Sequence, residues 1–426
     1  MKIGTIDTEK EITKNLLGDK VIWVIVFLLS LSSIALIYSA SSSLAFKENT
    51  TNFSYLIKQI VFVVGGLGAL FACYITPIGI YRALSKPLLY LSIILLVLTP
   101  IIGHEINGAR RWISIFGITF QPTEIAKIAV VLYLARVLET SKLETYKEFL
   151  IKVVAPIGLV CVLILIGSVS SALFVGLISF LVLLIGNVKF NYIAKTAGIA
   201  VVAGIFMICL HLIFGIFPRL DTATNRLKKF AKEEEISHEL TPEEKQKIAD
   251  KTFQADMAKI AISSVKIFGK GPGKSTQRYV LPHPYSDYIY TIIIEEYGLF
   301  GGAFILMMYL WFLYSCVKLV KHCTKVFTAI TVGGLGLLIT TQAMLHILVN
   351  VGYLPVTGHT LPLLSLGGTS LIILSSAFGI ILSVSRTIDI TSMKNKQAQE
   401  KLEEKERSNN EEEELHEIMD TNGEFK

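Results

Sequence analysis

Asp287 has the clearest setting for acid–base chemistry in this sequence. Residues 269–302 read GKGPGKSTQRYVLPHPYSDYIYTIIIEEYGLFGG, a Gly-rich, basic approach that leads to Asp287 and then into an apolar run carrying Glu295 and Glu296. On a continuous helix, positions 287 and 295 are separated by roughly 80° in projection and about 12 Å in depth. That spacing predicts a surface carboxylate above a buried one on nearly the same face. Carboxylates at membrane depth are costly and functional by default. The structural alternatives are that Asp287 caps a helix, which Ser286 could equally do, and that Glu295 and Glu296 neutralise basic residues on neighbouring helices.

A second stretch, residues 107–129, reads NGARRWISIFGITFQPTEIAKIA. Gln121-Pro122 predicts a helix start with Glu124 in its first turn and Lys127 three residues on, a spacing at which the two pair. Arg110 and Arg111 stand beside Trp112, and guanidinium forks match phosphate oxygens. The arrangement suits a phosphate-bearing lipid headgroup, with simple interfacial anchoring as the alternative. Lys58, Arg219 and Arg226 are further basic candidates on the same side. In a third stretch, residues 353–370 (YLPVTGHTLPLLSLGGTS), Pro355, Gly358, Pro362, Gly367 and Gly368 break the helix before the last apolar run. Irregular backbone at membrane depth survives only where protein buries it or it lines a cavity. His346 and His359 are too isolated to suggest a metal site.

The elements that position these residues are long apolar runs. Of 426 residues, 52% are hydrophobic and 17% charged, and mean hydropathy is +0.58. Soluble domains are nearer a quarter charged, and about 20 apolar residues span a bilayer. The sequence predicts an all-α polytopic membrane protein with ten transmembrane helices. The runs are 21–40, 55–75, 87–103, 122–138, 150–167, 170–188, 193–217, 288–317, 327–350 and 363–384. The acids Asp7, Glu9, Glu11 and Asp19 and the length of the first run argue for a retained span over a signal peptide. Basic residues in short loops number ten on one side and three on the other. Both termini are therefore expected in the cytoplasm, with residues 218–287 as a large outer loop between spans seven and eight.

The expected organisation is a cytoplasmic segment 1–20, a membrane domain 21–390, and a charged cytoplasmic tail 391–426, helical at most in patches and otherwise disordered. Net charge is +6 with acids crowded in the tail, and no basic, aromatic-interleaved patch of the kind nucleic acid needs is present. The five cysteines are dispersed in or beside apolar runs, which argues against a disulfide framework or a zinc site. Residues 228–251 form a densely charged segment within the large loop.

The three stretches, in this order on ten spans, closely resemble the SEDS family of shape, elongation, division and sporulation proteins, which includes FtsW, RodA and SpoVE. The pieces that carry the resemblance are GARRWI with FQPTEIAK, KSTQRYVLP with SDYIY and EEYGLFGG, and LPVTGHTLPLLSLGGTS followed by GIILSVSR. They cover about residues 18–386, and GKSTQRYVLP looks more like the division branch, FtsW, than like RodA. The resemblance implies a peptidoglycan glycosyltransferase that polymerises lipid II into glycan strands on the outer face of a bacterial cytoplasmic membrane, at the division septum. Implied partners are lipid II, the nascent strand, a class B penicillin-binding protein and other division proteins. Asp287 matches the family's essential aspartate in its DFIF element. Glu124 and Lys127 match its QPSExxK element, Arg111 the arginine before it, and Glu295 and Glu296 its EE pair. Tyr288 and Tyr290 replace two Phe, Leu366 and His346 stand where Tyr and Asn are common, and Ser168 replaces the aspartate of the PDxGT element. The segment 228–251 stands as an insertion.

The implied substrate is α-linked and the product β-linked, so one inverting displacement suffices. That step needs a general base for the attacking hydroxyl and cations for the departing diphosphate. Asp287 is the candidate base. The substrate-binding candidates are Lys58, Arg110, Arg111, Glu124, Lys127, Arg219, Arg226, Glu295 and Glu296. No cofactor is required by the sequence, and a divalent cation, Mg or Mn, could assist the diphosphate. The competing functions are a lipid II transporter, which the Glu124–Lys127 pair could equally serve, and a division scaffold without catalysis.

Overall fold

The structure is a computed structural model and describes residues 17–42, 44, 50–106, 109–115, 117–214, 267–279, 281 and 283–423. Arg219, Arg226 and the charged segment 228–251 lie outside the described residues. With no water at membrane depth, an apolar backbone must bond to itself, and each of the ten apolar runs coincides over most of its length with a helix. These are α1 (Lys20–Ala40), α2 (Asn52–Ile75), α3 (Ile78–Ile102), α4 (Pro122–Thr140), α5 (Tyr146–Gly167), α6 (Val169–Ile185), α7 (Phe190–Phe214), α8 (Ile289–Lys321), α9 (Val326–Asn350) and α10 (Thr369–Gly423). Eight are long and apolar enough to cross a membrane. Of the other two, α6 is apolar but only 17 residues long, and α4 carries Glu124, Lys127, Arg136 and Glu139.

Local chemistry sets the helix ends. The Asp19 carboxylate accepts from the Val21 and Ile22 amides at the start of α1, satisfying donors that have no partner within the helix. Pro122 opens α4, where its missing N–H costs nothing. In α5, Pro156 cannot donate to Lys152 O, the turn over Leu150–Val154 widens to a π-helix, and the Tyr133 hydroxyl donates to Lys152 O instead at 2.7 Å.

The core is built on α4, α9, the first turns of α8 and the apolar half of α10. Small residues let these helices approach closely. A Cβ at Gly334 of α9 would lie 2.6 Å from Val131 of α4, and one at Gly379 of α10 would lie 2.3 Å from the Leu70 carbonyl of α2. By contrast α7 is the least buried helix, and an apolar cavity of about 710 Å³ lies between it, α5 and α6.

Two features depart from the sequence reading. Between α3 and α4 the chain forms β1 (His104–Ile106), β2 (Ala109–Ile115) and β3 (Ile118–Phe120), an antiparallel sheet in that order. Arg110 pairs with Glu105 across it and Ile113 with Phe120. Ile, Trp, Thr and Phe favour strands, and Gly117, at φ +79°, supplies the left-handed residue of the β2–β3 turn. The tail also differs: α10 continues without interruption to Gly423, where patches of helix and disorder were expected. Residues 394–414 are rich in Lys, Gln, Ala, Leu and Glu, all strong helix formers.

The residues before α1 meet the middle of α10 at the end of the bundle opposite the sheet. The Gly18 amide donates to Asp389 Oδ2 and the Asp19 amide to Ser385 Oγ, both at 2.8 Å.

Candidate active site

Asp287 is half-buried and sits in a turn, not on α8, which starts at Ile289. The expected 80° and 12 Å relationship to Glu295 on one continuous helix therefore does not hold. Nor is Asp287 at the cap position of α8: Tyr288 occupies it, and the Tyr288 side chain makes no capping bond. The cap comes from another helix. Asn350, at the last turn of α9, accepts from the Thr291 amide at 3.1 Å and the Thr291 hydroxyl at 2.9 Å through Oδ1. Its Nδ2 donates to the Asp287 carbonyl at 3.0 Å.

The turn is held along its length. The Leu366 amide donates to Tyr285 O at 2.9 Å, and Ser365 Oγ donates to Ser286 O at 2.9 Å. Three consecutive carbonyls, of residues 285, 286 and 287, thus accept from the α9–α10 connector or the helix that precedes it. The connector itself is irregular, with Gly358 at φ +71° and Leu363 at φ +63°. It survives because it is enclosed: Leu361, Leu363 and Leu364 are buried, and the Tyr309 hydroxyl donates to Pro362 O.

The Glu124–Lys127 pair forms as expected, at 2.8 Å and almost fully buried. Lys127 Nζ also donates to Gln342 Oε1 at 2.8 Å and lies 5.3 Å from the centre of the Phe174 ring. Gln342 Nε2 in turn donates to Thr360 O at 3.0 Å, and His346 Nδ1 donates to His359 O at 2.7 Å. Gln342, His346 and Asn350 occupy one face of α9 at four-residue spacing. Each ties the connector or the Asp287 turn to the bundle. The sequence reading missed Gln342 and Asn350. The signal that could have found them is that polar stripe within an apolar run. In the connector, burial and then the positive charge of Lys127 hold the His359 imidazole neutral, pushed down to about 3.

Glu295 and Glu296 are buried; the partners of Glu295 are on the Gly-rich approach, while Glu296 also bonds to the neighbouring α1. Glu295 Oε1 accepts from Lys270 Nζ at 2.6 Å and from the Thr276 amide and hydroxyl at 3.0 and 2.8 Å. Its Oε2 accepts from the Ser275 hydroxyl and from the Gln277 amide. Glu296 Oε1 accepts from the Ser39 hydroxyl of α1, and Arg278 Nη1 donates to Ser39 O at 3.2 Å. The backbone explains how the loop reaches so deep. Gly298, at φ +76°, breaks α8, and the Lys270 and Gly271 amides donate to the carbonyls of Glu295 and Glu296 at 2.9 Å. A Cβ at Gly298 would lie 2.3 Å from Ile267 O, and one at Gly269 would lie 2.4 Å from Glu296 O. Only glycine fits either place.

The basic candidates divide. Arg111, on β2, donates through Nε to Gly167 O at 2.7 Å, and its charge reaches His359 together with that of Lys127. Arg110 is exposed beside the Pro100 carbonyl. With Thr123, Gly167 and Ser168 the two arginines line a small cleft at the sheet end of the bundle. Lys58 is exposed on α2, 5.0 Å from the centre of the Tyr55 ring. Among the described residues no group of three or more His, Cys, Asp or Glu side chains is placed to hold a metal ion.

Comparison with known proteins agrees with this architecture. The profile of the cell cycle protein family FtsW/RodA/SpoVE matches residues 19–389. The chain is 30% identical over 372 residues to the "Probable peptidoglycan glycosyltransferase FtsW" of Hydrogenovibrio crunogenus, covering 85% of this chain and 90% of that one. It is 30% identical over 377 residues to the "Stage V sporulation protein E" of Bacillus subtilis, covering 88% and 98%. Among solved structures, a chain from a study of polymerization and crosslinking by a peptidoglycan synthase complex superposes with a TM-score of 0.67 at 23% identity, covering 87% and 98%. The Thermus thermophilus rod shape determining protein RodA superposes with a TM-score of 0.61 at 22% identity, covering 87% and 97%. The chain belongs to the FtsW/RodA/SpoVE family and is a multi-pass bacterial membrane protein.

Proposed function

We propose that this protein polymerises lipid II into glycan strands on the outer face of the cytoplasmic membrane, with both termini in the cytoplasm. Its work there belongs to septal wall synthesis beside a class B penicillin-binding protein that cross-links the product. Support comes from the names of its relatives and from the peptidoglycan synthase complex that contains a chain of the same fold.

In the reaction, a sugar 4-hydroxyl attacks the anomeric carbon of the lipid-linked donor. The new C–O bond forms as the bond to the diphosphate breaks, the diphosphate leaves with the electron pair, and configuration inverts. The hydroxyl proton passes to the Asp287 carboxylate, which needs partial desolvation to act from a reference pKa of about 3.9. Arg111, Arg110 and Lys58 offer cations to the growing charge on the diphosphate, together with Arg219 and Arg226. A divalent cation, Mg or Mn, would add positive charge for the departing diphosphate; among the described residues no His, Cys, Asp or Glu cluster is placed to hold one. Glu124 and Lys127 keep the cavity wall in place, and Glu295 and Glu296 hold the Gly-rich approach.

The observation that carries this reading is the treatment of Asp287. Its turn is gripped at three successive carbonyls, while the cap that α8 needs comes from Asn350. A structural cap would not call for such support. The test is incubation of the full-length protein, purified with its transpeptidase, with labelled lipid II, and resolution of the products by size. Glycan polymer is expected. Lipid II that binds and crosses vesicle membranes without polymer formation would overturn the proposal in favour of transport.

A further inference from the structure

We infer that Asn350 is a positioning residue for Asp287, an inference that rests on the assignment of Asp287 as the base. Asn350 is fully buried, and its amide fills all four of its bonding places. Oδ1 takes the Thr291 amide and hydroxyl. Nδ2 gives one hydrogen to Asp287 O and the other to His346 O, at 3.0 and 2.9 Å. The four bonds join three things: the end of α9, the first turn of α8, and the residue that carries the carboxylate.

The geometry gives Asn350 the carbonyl side of Asp287: the Asp287 amide donates to His283 O at 3.1 Å, and its carbonyl accepts from Asn350. Residues before a helix start have backbone groups outside the helical bonding pattern, and the Asp287 carbonyl is such a group. The bond from Nδ2 fixes the peptide plane that follows Asp287 Cα. The bond to Thr291, three residues into the helix from Tyr288, fixes where α8 begins. With both set, the carboxylate has only its side-chain torsions left to choose. Leu366 and Ser365 fix the two preceding carbonyls but do not reach this plane. A catalytic group must be held within about 0.5 Å of its working position, and a misplacement of about 1 Å costs on the order of a hundredfold in rate.

The experiment compares Asn350→Leu and Asn350→Asp in the full-length protein purified with its transpeptidase. Leu keeps the volume without polar atoms, while Asp keeps the acceptor for Thr291 and loses both donors. Lipid II binding, the rate of glycan formation and the pH dependence of that rate are measured. Both variants are expected to bind lipid II like the parent, to lose about a hundredfold in rate, and to move the acid limb of the pH–rate profile. A purely structural role would scale the profile by the folded fraction without moving it. Should Asn350→Leu fail to accumulate, Asn350→Asp decides alone. An unmoved acid limb, or a rate within about threefold of the parent, overturns the inference. Asp287→Asn separates this failure from that of the underlying assignment. If that variant polymerises normally, the base lies elsewhere and both readings fall. If it is inactive while the Asn350 variants remain fast, only the role of Asn350 falls. Residual activity of Asp287→Asn should be insensitive to the further change Asn350→Leu, because the two residues act as one unit.

Discussion

Lys127 Nζ lies 2.8 Å from Gln342 Oε1, so that a charge on α4 is bonded directly to α9, one helical turn from the residue that holds the connector at His359. The same ammonium is 2.8 Å from Glu124. A buried pair of this kind is weak evidence for stability by itself, yet removing one partner leaves an uncompensated charge.

Glu124→Gln should therefore lower folding stability by about 3 kcal/mol or more, seen as a lower melting temperature of the purified protein. Glu124→Gln combined with Lys127→Met should recover most of that loss. Failure of the double variant to recover would mean that the pair's neighbours, not its charge balance, set the cost.

Glu295→Gln should release the Gly-rich approach, because the carboxylate accepts from Lys270, Ser275, Thr276 and Gln277 together. Faster protease cleavage within residues 267–279 is the expected readout, with a polymerisation rate lowered at least tenfold by the displaced wall. Lys270→Met should do less, since that ammonium is partly exposed and the Ser275, Thr276 and Gln277 donors to the carboxylate remain. Equal effects of the two variants would count against the loop's amide and hydroxyl donors as its main anchor.

Asp287→Asn should insert and bind lipid II normally, and lose between about a hundredfold and ten-thousandfold in polymerisation, the usual contribution of a general base. Capping does not explain such a loss, because Tyr288 holds the cap position and loss of a cap costs only about 1 kcal/mol. A drop of only a fewfold, alongside a folded but inactive Glu124→Gln variant, would move the active carboxylate away from Asp287.

Cysteine labelling checks the orientation. In a background without the five native cysteines, Ser237→Cys should react with an impermeant maleimide on intact cells, while a cysteine in the tail at Ser408 should react only after lysis. The reverse pattern would invert the whole map.

The helices were legible in the sequence because apolar runs near bilayer length leave the backbone no alternative. The three-stranded sheet between α3 and α4 was not, since two of its strands are only three residues long and do not rise above a loop with strand-forming residues. Asp287, Glu124 and Lys127 were legible as charges in costly places. What sequence spacing could not supply was the partner of each. Glu295 and Glu296 read as substrate-binding candidates or as charges neutralised by neighbouring helices, whereas the break at Gly298 turns both carbonyls and the Glu295 carboxylate toward a loop some twenty residues earlier in the chain, and Glu296 bonds to Ser39 of α1. Asn350 was hidden for a similar reason: an amide inside an apolar run has no charge to draw notice, and its importance comes from what folds against it. The tail was misread because its charge balance, which argued for disorder, is equally that of a solvated helix.

The backbone crossing at Gly269 and Gly298 also limits how this protein can change over generations. A side chain at Gly269 would strike the backbone of residues 296–298, and one at Gly298 the backbone of residues 267–269, so neither position can change while the two segments keep their crossing. A lineage that lost one would displace the loop before any second substitution could compensate. Two positions nearly thirty residues apart are thus inherited as a single character, and a saturation library should show them both closed to every replacement.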